Sequence, residues 1–303
     1  MYAVVPTLNA AADWARFAPI LSDCISPRLV LILDSSSHDG TPELARTAGF
    51  AIRNIPRAEF NHGGTRQFGI ELLSDADVVV FLTQDAILAD ATAINMLIRA
   101  FDDPTVGAAY GRQLPRPGAE PIEAHARLFN YGQQSVVRSI ADRERLGFKS
   151  IFISNSFAAY RRTALLAVGG FPKHVIFGED TVVAGKLLLS GWKIAYTAEA
   201  EVYHSHSYTM TQEFRRYFDI GVLHAREGWL RREFGSAGGE GMRFVRSELS
   251  YLWGHCKWLI PDALSRTCLK WIGYRLGRIE NKLNIRWKRM FSLHASFWHE
   301  DQR

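Results

Sequence analysis

The first 110 residues alternate short apolar runs with helical patterns, and this alternation restricts the chain to few folds. Four apolar runs predict strands at Tyr2–Val5, Leu29–Leu33, Ala51–Ile55 and Val78–Leu82. Helical patterns follow at Thr41–Thr47 and Thr65–Leu73. Strands that are joined through helices pair in parallel by right-handed crossovers. We therefore predict an α/β fold with a mostly parallel sheet flanked by helices.

Polar turns follow three of these four predicted strands. Pro6-Thr7-Leu8-Asn9 ends the first, the Asp34–Gly40 segment ends the second, and Thr83-Gln84-Asp85 ends the fourth. In open α/β sheets, ligands bind outside the carboxyl ends of the strands. We therefore expect the functional site at this edge of the sheet.

Asp34 and Asp85 are the acidic candidates at these strand ends. Asp34 can accept a hydrogen bond from a base or a ribose, or it can simply hold a turn. Asp85 can bind a divalent cation, because phosphate oxygens and waters complete the coordination of Mg²⁺ around a single carboxylate. The alternative is that Asp85 caps a helix over Ala86–Ala100.

His62-Gly63-Gly64-Thr65-Arg66 opens a predicted helix. Backbone amides and a guanidinium at a helix N-terminus favour an anion. The glycine spacing matches neither the Walker nor the dinucleotide-binding pattern. The segment alone is therefore a modest indication of a phosphate site.

Gly178-Glu179-Asp180 precedes a helix predicted over Thr181–Ser190. Adjacent carboxylates repel, which raises the pKa of one of them and favours a general base. The alternative is that acidic residues stand here because a helix N-terminus attracts them. His204-x-His206 would place both rings on one side of an extended segment, as metal ligands, phosphate contacts or members of a buried network.

The remaining segments complete the predicted organisation. Residues 112–125 are rich in Pro, Gly and Arg, which predicts an exposed connection. Strands are expected at Ser150–Tyr160, Lys193–Thr197 and Glu201–Tyr203. From Thr211 onward the pattern is helical.

The last fifth of the chain is basic and rich in tryptophan. Residues 241–303 contain 12 Lys/Arg against 5 Asp/Glu and five of the eight tryptophans, whereas the whole chain carries a net charge of +5. Such a tail suits an anionic membrane surface, with rings at headgroup depth and cations on the lipid. The alternative is that its helices pack on the rest of the protein. No nucleic-acid partner is expected, because no nucleic-acid-binding module accompanies the charge.

Compartment signals favour the cytoplasm. No apolar run reaches the roughly 18 residues of a spanning helix, and the N-terminus lacks a basic leader. Cys24, Cys256 and Cys268 show no metal-like spacing and are expected to be reduced thiols. We expect a cytoplasmic protein, peripheral on the inner face of the cytoplasmic membrane.

Taken in order, these motifs resemble the family 2 glycosyltransferases of GT-A type. The matching segments are 4–9, 33–41, 81–86, and Gly169-Gly170-Phe171 followed by Gly178-Glu179-Asp180. The 60–66 segment with Thr83-Gln84-Asp85-Ala86 resembles the bacterial rhamnosyltransferase branch, which uses dTDP-L-rhamnose. The resemblance covers about residues 2–210. It implies a Rossmann-like GT-A catalytic domain over 1–210, with nucleotide-sugar binding in 1–110 and the acceptor and base part in 111–210. A helical extension over 211–303 follows.

The resemblance also implies roles for individual residues. Asp180 would be the catalytic base, Glu179 would orient loop or acceptor, and Asp85 would bind Mg²⁺ or Mn²⁺, with His206 as a further ligand. Arg66 would meet the base or diphosphate. The donor-binding set comprises Pro6, Thr7, Asn9, Asp34, Ser36, His62, Arg66 and Gln84. The chain departs from the usual Asp-x-Asp pattern by having Thr83 at its first position.

These roles predict transfer of L-rhamnose from dTDP-L-rhamnose, with inversion, to a glycan or lipid-linked acceptor in bacterial surface polysaccharide synthesis. Two alternatives stay open at this point. A nucleotidyltransferase would share the α/β core and the metal, but the Pro6–Ala12 turn has neither glycine nor a basic residue. A non-catalytic nucleotide- or carbohydrate-binding protein would not need the acidic pair at 179–180.

Overall fold

In the computed structural model, residues 1–235 and 238–298 are described, and they form a nine-stranded sheet with helices on both faces. The strands are β1 (Tyr2–Thr7), β2 (Val30–Asp34), β3 (Ala51–Asn54), β4 (Val78–Leu82), β5 (Ile87–Leu88), β6 (Val106–Leu114), β7 (Val136–Arg138), β8 (Phe157–Arg161) and β9 (Lys193–Tyr203). The helices of the first 200 residues are α1 (Ala11–Cys24), α2 (Thr41–Thr47), α3 (His62–Leu72), α4 (Ala93–Ile98), α5 (Pro121–Asn130), α6 (Arg143–Leu146), α7 (Arg162–Ala167) and α8 (Glu179–Leu189). The later helices are α9 (Met210–Arg226), α10 (Gly228–Phe234), α11 (Gly238–His255), α12 (Ile260–Arg278) and α13 (Ile285–Phe291).

The strand order is β3-β2-β1-β4-β8-β6-β9-β5, with β7 paired to β9. Strands β1 to β4 are mutually parallel, β6 is parallel to β9, and β8 runs antiparallel between β4 and β6. Thr7 at the end of β1 lies beside Asp34 at the end of β2. The prediction of a mostly parallel α/β sheet is confirmed, and its polar strand ends meet at one edge.

The central strands of the sheet are buried on both faces, which explains their continuous apolar runs. In β2, Leu31 and Leu33 face the apolar layer that includes α8, whereas Val30 and Ile32 face the layer that includes α1. All five residues of β2 are buried. Parallel strands covered by helices on both sides need apolar side chains at every position.

The helix predicted over Ala86–Ala100 is wrong in its first half. The chain instead forms β5, which pairs antiparallel with β9, and α4 begins only at Ala93. Asp90 accepts bonds from the amide and hydroxyl of Thr92 and so forms the turn before that helix. Asp85 therefore does not cap a helix, and that alternative is excluded.

The exposed connection predicted over residues 112–125 is confined to residues 115–120, where Pro117, Gly118 and Glu120 are exposed. Its start belongs to the buried strand β6 and its end to α5. Gly111 reflects close packing, because a Cβ there would lie 2.3 Å from the ring of Phe157. The strand predicted over Ser150–Tyr160 is confined to β8, and the two short strands expected after Trp192 are one continuous strand, β9.

The C-terminal part is helical, as predicted, and α12 packs directly against α9. A Cβ on Gly277 would lie 2.0 Å from the carbonyl oxygen of Phe218, and one on Gly273 would lie 2.4 Å from that of Phe214. These glycines allow the two helix backbones to touch. Among the described helices, none is both long enough and apolar enough to span a membrane.

Candidate active site

Asp34 is held at the end of β2 by hydrogen bonds to its carboxylate. Its Oδ1 accepts bonds from the hydroxyls of Thr7, at 2.9 Å, and Ser37, at 2.6 Å. Its Oδ2 accepts the Ser37 amide at 2.9 Å. A carboxylate offers about four lone-pair positions, so three protein donors leave one for a ligand. The turn role and the ligand role are therefore compatible in this residue.

The neighbouring turns are fixed to one another by side chains of the predicted donor-binding set. Gln84 accepts the Leu8 amide at 2.6 Å and donates to the Leu8 carbonyl at 3.0 Å, which joins the ends of β1 and β4. Asn9 accepts the His38 amide at 3.0 Å. Asn9 and Ser36 have positive φ, 49° and 60°, a conformation that is uncommon outside glycine. Pro6 lies within β1, so these members of the set form one rim at the strand ends, whereas His62 and Arg66 lie on α3.

Asp85, His204 and His206 form a cluster whose ligand atoms all lie within 4.8 Å of one another. Asp85 follows β4, and both histidines follow β9. The Asp85 Oδ2 atom is 3.3 Å from Nε2 of His204 and 3.6 Å from Nδ1 of His206. Imidazole and carboxylate are ordinary ligands of first-row divalent metals, and the cluster can hold such an ion. The predicted metal set contained Asp85 and His206 but not His204, for which the sequence left several roles open.

The hydrogen bonds of Gln113 determine the tautomer of His204. Gln113 Oε1 lies 2.8 Å from a guanidinium nitrogen of Arg127, which can only donate, so this atom is an acceptor. The same Oε1 lies 2.9 Å from Nδ1 of His204, so Nδ1 carries the proton. In the neutral ring, the Nε2 lone pair therefore faces the carboxylate of Asp85. Two facing lone pairs fit a cation between them.

The protonation states of the cluster agree with metal binding. Burial raises the pKa of Asp85, but the hydrogen bond and positive charge that the protonated form of His204 supplies outweigh it and hold that pKa below its usual range. Burial lowers the pKa of His206 to about 3 and also lowers the pKa of His204. Neutral imidazoles and an ionised carboxylate are the forms that bind metal.

Asp180 lies at the N-terminus of α8 on a turn that Gly178 makes possible. Gly178 has a φ of 79°, and a Cβ there would lie 2.6 Å from Leu223 of α9. The Asp180 carboxylate accepts the amides of Thr181, at 2.7 Å, and Asn155, at 3.2 Å. Burial, reinforced by the charge of Glu179, raises the pKa of Asp180 to about 6. A carboxylate with that pKa can take a proton at neutral pH.

Glu179 points the other way, into a buried ion pair. Its Oε1 lies 3.0 Å from the Arg66 guanidinium and accepts the Asn155 side-chain amide at 2.9 Å. The side chains of Glu179 and Arg66 are each 6% exposed. His62 packs edge-on against His294 at 4.8 Å. Arg66 and His62 therefore lie behind the Asp180 turn, and their predicted contact with the donor stays a prediction.

The Ser154-Asn155 segment connects the two groups of candidate residues. The Ser154 hydroxyl accepts a bond from Gln113 Nε2 at 2.9 Å, and Gln113 in turn contacts His204. The Asn155 amide bonds to Asp180. Nothing in the local sequence indicates Gln113 or Asn155, because each acts through partners that are distant in the chain.

A large cavity lies between this site and the C-terminal helices. Its volume is about 1240 Å³, and its walls come from α5, α9, α11 and α12. Gly178 and Thr181 line it on one side, and His206 lines it as well. The turn that carries Asp180 and one member of the metal-binding cluster, His206, therefore border the same space.

The chain matches known proteins along its whole length. It is 47% identical over 301 residues to the O-antigen chain rhamnosyltransferase RfbN of Salmonella typhimurium, covering 99% of this chain and 96% of the relative. It is 46% identical, with the same coverage, to the O-antigen chain rhamnosyltransferase WbaN of Salmonella anatum. The predicted resemblance to the rhamnosyltransferase branch is confirmed.

Solved structures show the same fold. A mannosyltransferase of Pyrobaculum calidifontis, in complex with GDP-Man and Mn²⁺, has a TM-score of 0.56 at 18% identity and covers 98% of this chain and 85% of its own. TarS of S. aureus, residues 1–349, has a TM-score of 0.55 at 13% identity, covering 93% and 91%. The predicted GT-A fold is confirmed by these neighbours.

Residues 2–169 match the family described as Glycosyl transferase family 2. This match covers more than half of the chain and includes the turns after β1, β2 and β4. Together with the two Salmonella relatives, this match supports a glycosyltransferase over the alternatives of a nucleotidyltransferase or a non-catalytic binding protein. The chain belongs to glycosyl transferase family 2.

Proposed function

We propose that this enzyme transfers L-rhamnose from dTDP-L-rhamnose, with inversion, to a hydroxyl group of a glycan or lipid-linked acceptor in surface polysaccharide synthesis. One observation carries the proposal: Gly178 and Thr181 of the Asp180 turn border the same cavity as His206, a member of the cluster with Asp85 and His204. A base beside the cavity can deprotonate an attacking hydroxyl group, and a cation beside the same cavity can stabilise the departing diphosphate. The names of the two Salmonella relatives support rhamnose as the sugar.

In this mechanism Asp180 takes the proton of the attacking acceptor hydroxyl. The amides of Asn155 and Thr181 hold its carboxylate in place, so little reorganisation is needed during proton transfer. Asp85, His204 and His206 would hold a divalent cation, which supplies positive charge for the departing diphosphate. Arg66 acts through Glu179, because their buried ion pair holds Glu179 in place next to the base Asp180.

The rim at the strand ends would bind the nucleoside. Asp34 has one acceptor position left, which suits the N3–H of thymine. Uracil presents the same N–H, so this contact does not select thymidine over uridine donors. Selection of the donor would then rest on the sugar.

A donor screen tests the proposal. Release of nucleoside diphosphate is measured from dTDP-L-rhamnose, UDP-glucose and GDP-mannose, with Mn²⁺, with Mg²⁺ and with excess chelator. The proposal expects dTDP-L-rhamnose to be used fastest and chelator to abolish its use. Faster use of UDP-glucose would contradict the sugar assignment, and full activity in chelator would contradict the metal assignment.

We also propose that the C-terminal helices rest on the anionic inner face of the cytoplasmic membrane. Trp253, Trp258 and Trp271 are more than 60% exposed. The ammonium of Lys257 lies 4.8 Å from the ring of Trp253, so a cation accompanies an exposed ring. Trp298, in contrast, is 1% exposed and packs in the protein. Trp298 therefore packs as the alternative interpretation expects, whereas the exposed tryptophans support membrane contact.

A further inference from the structure

The cavity beside the Asp180 turn contains a charged group that the proposed mechanism does not use. Glu248 of α11 lines the cavity and is 1% exposed. Its Oε1 atom has no hydrogen-bond partner among the described residues. Burial raises the pKa of Glu248 to about 7, although the charge of Lys270 opposes this. A buried carboxyl oxygen without a partner is costly, so it needs an explanation.

The wall around Glu248 combines charges with aromatic rings. Lys270 lies 3.4 Å from Glu213 and places its ammonium 5.7 Å from the ring of Phe244 and 5.8 Å from that of Tyr217. Arg266 pairs with Asp262 at 2.6 Å and contacts Glu213 at 3.6 Å. These groups come from α9, α11 and α12, three helices that surround the cavity.

The shape of the cavity fits an acceptor. Its volume of about 1240 Å³ exceeds the roughly 300–1,000 Å³ of ordinary small-molecule sites, so more than one sugar ring can enter. It reaches Gly178 and Thr181, on either side of the proposed base. A group bound against α11 and α12 could therefore present a hydroxyl to Asp180.

The chemistry of the wall favours a glycosyl group over a hydrocarbon chain. A hydrocarbon would leave Glu248 and Lys270 buried without new partners, which is unfavourable. Sugar hydroxyls both donate and accept hydrogen bonds, and the C–H faces of a sugar ring pack on aromatic side chains such as Tyr217 and Phe244. A carboxyl beside an ammonium matches that combination of donors and acceptors.

We propose that Glu248, with Lys270, forms a subsite that recognises a glycosyl unit of the acceptor. This inference rests on the proposed function for the identity of the ligand as an acceptor. It assigns to the C-terminal helices a role in acceptor binding besides any contact with a membrane. Glu248 is then a specificity-determining residue, because its hydrogen bonds select the hydroxyl pattern of the sugar.

Equilibrium binding without any donor tests the subsite separately from turnover. Octyl glycosides of galactose, glucose, mannose, rhamnose and N-acetylglucosamine, below their micellar concentrations, are titrated calorimetrically into the wild type and two variants. Glu248→Gln keeps the size of the side chain, and Glu233→Gln is the control, since Glu233 lies on the surface at α10 and is 43% exposed. Octanol is titrated as a hydrocarbon without a sugar.

We expect at least one glycoside to bind the wild type more tightly than octanol does. At about pH 8, where Glu248 with its pKa of about 7 is mostly ionised, Glu248→Gln should weaken binding of that glycoside about tenfold or more, because a hydrogen bond to a charged group becomes one to a neutral amide, and Glu233→Gln should not weaken it. Binding of every glycoside no tighter than octanol, or equal affinity in Glu248→Gln and wild type, would overturn the proposal. Because no donor is present, failure of the donor screen would leave this result unaffected.

Discussion

The Oε1 atom of Gln113 lies 2.9 Å from Nδ1 of His204, and this contact determines which ring nitrogen faces Asp85. Gln113 itself is 2% exposed and lies near the end of β6, an interior strand of the sheet. The rigid sheet therefore orients a histidine that lies at the end of another strand. Partners of this kind commonly set the affinity of a metal site.

Gln113→Met should weaken Mn²⁺ binding about 10- to 100-fold, because His204 loses the acceptor that fixes its tautomer. Gln113→Glu retains an acceptor oxygen and should keep affinity close to that of the wild type. Mn²⁺ affinity is measured by electron paramagnetic resonance of the free ion, without any donor. Equal affinity in the Met variant and the wild type would contradict the role of Gln113.

Asp180→Asn should lower turnover about 10²–10⁴-fold, the usual cost of removing a general base. The amide keeps the size of the side chain and has one acceptor oxygen, so it can keep the 2.7 Å bond from the Thr181 amide but loses the 3.2 Å bond from the Asn155 amide; neither amide belongs to the proposed metal or nucleoside site. Donor and Mn²⁺ affinities should therefore stay near wild-type values. The assignment fails if a folded Asp180→Asn enzyme turns over at nearly the wild-type rate.

The pH dependence of kcat/KM should show an acidic limb near the pKa of Asp180, about 6. The base works only when deprotonated, so activity should fall as the pH decreases through that value. Glu179→Gln removes the neighbouring negative charge and should shift the limb to lower pH. Because this variant leaves Arg66 unpaired, its fold is checked by circular dichroism. The profiles of the wild type and Glu179→Gln are measured from about pH 5 to about pH 8. An acidic limb at the same pH in both would contradict the assignment of that limb to Asp180.

Gly277→Ala should destabilise the protein, although alanine normally favours a helix. A Cβ at this position would lie 2.0 Å from the Phe218 carbonyl oxygen, so α12 must move away from α9. We expect the free energy of unfolding to fall by about 1–3 kcal/mol, measured by urea unfolding. Gly254→Ala is the control, because nothing lies within 4 Å of a Cβ there. A stabilised Gly277→Ala protein would show that the two helices have room to separate.

Sedimentation with anionic vesicles tests the membrane contact. The wild type should sediment at low salt and be released at high salt, since screening weakens the attraction of basic residues to lipid. Replacing Trp253 and Trp258 together by alanine should reduce sedimentation. Leu189→Ala serves as control, since Leu189 is 44% exposed and lies at the end of α8, away from the tail. Equal sedimentation of the tryptophan variant and the wild type would contradict the membrane role.

The local sequence was sufficient to determine the strand ends and the turn of Gly178-Glu179-Asp180. Continuous apolar strands such as β2 and the polar residues that follow them are local patterns, and a parallel sheet brings their ends together by its topology. Two adjacent carboxylates such as Glu179 and Asp180 likewise predict a perturbed pKa from the sequence alone. The order of these motifs then indicated the family.

Only the tertiary structure decided how the partners of these residues are arranged. The pairing of β5 with β9 removed the helix expected after Asp85 and placed that residue beside His204. The sequence predicts that Arg66 binds an anion of the donor. In the structure Arg66 is buried and forms an ion pair with Glu179. Such pairings depend on residues that are distant in the chain and on burial, neither of which a local pattern contains. For the same physical reason the cavity around Glu248 has no signature in the sequence: four helices create it only when they pack.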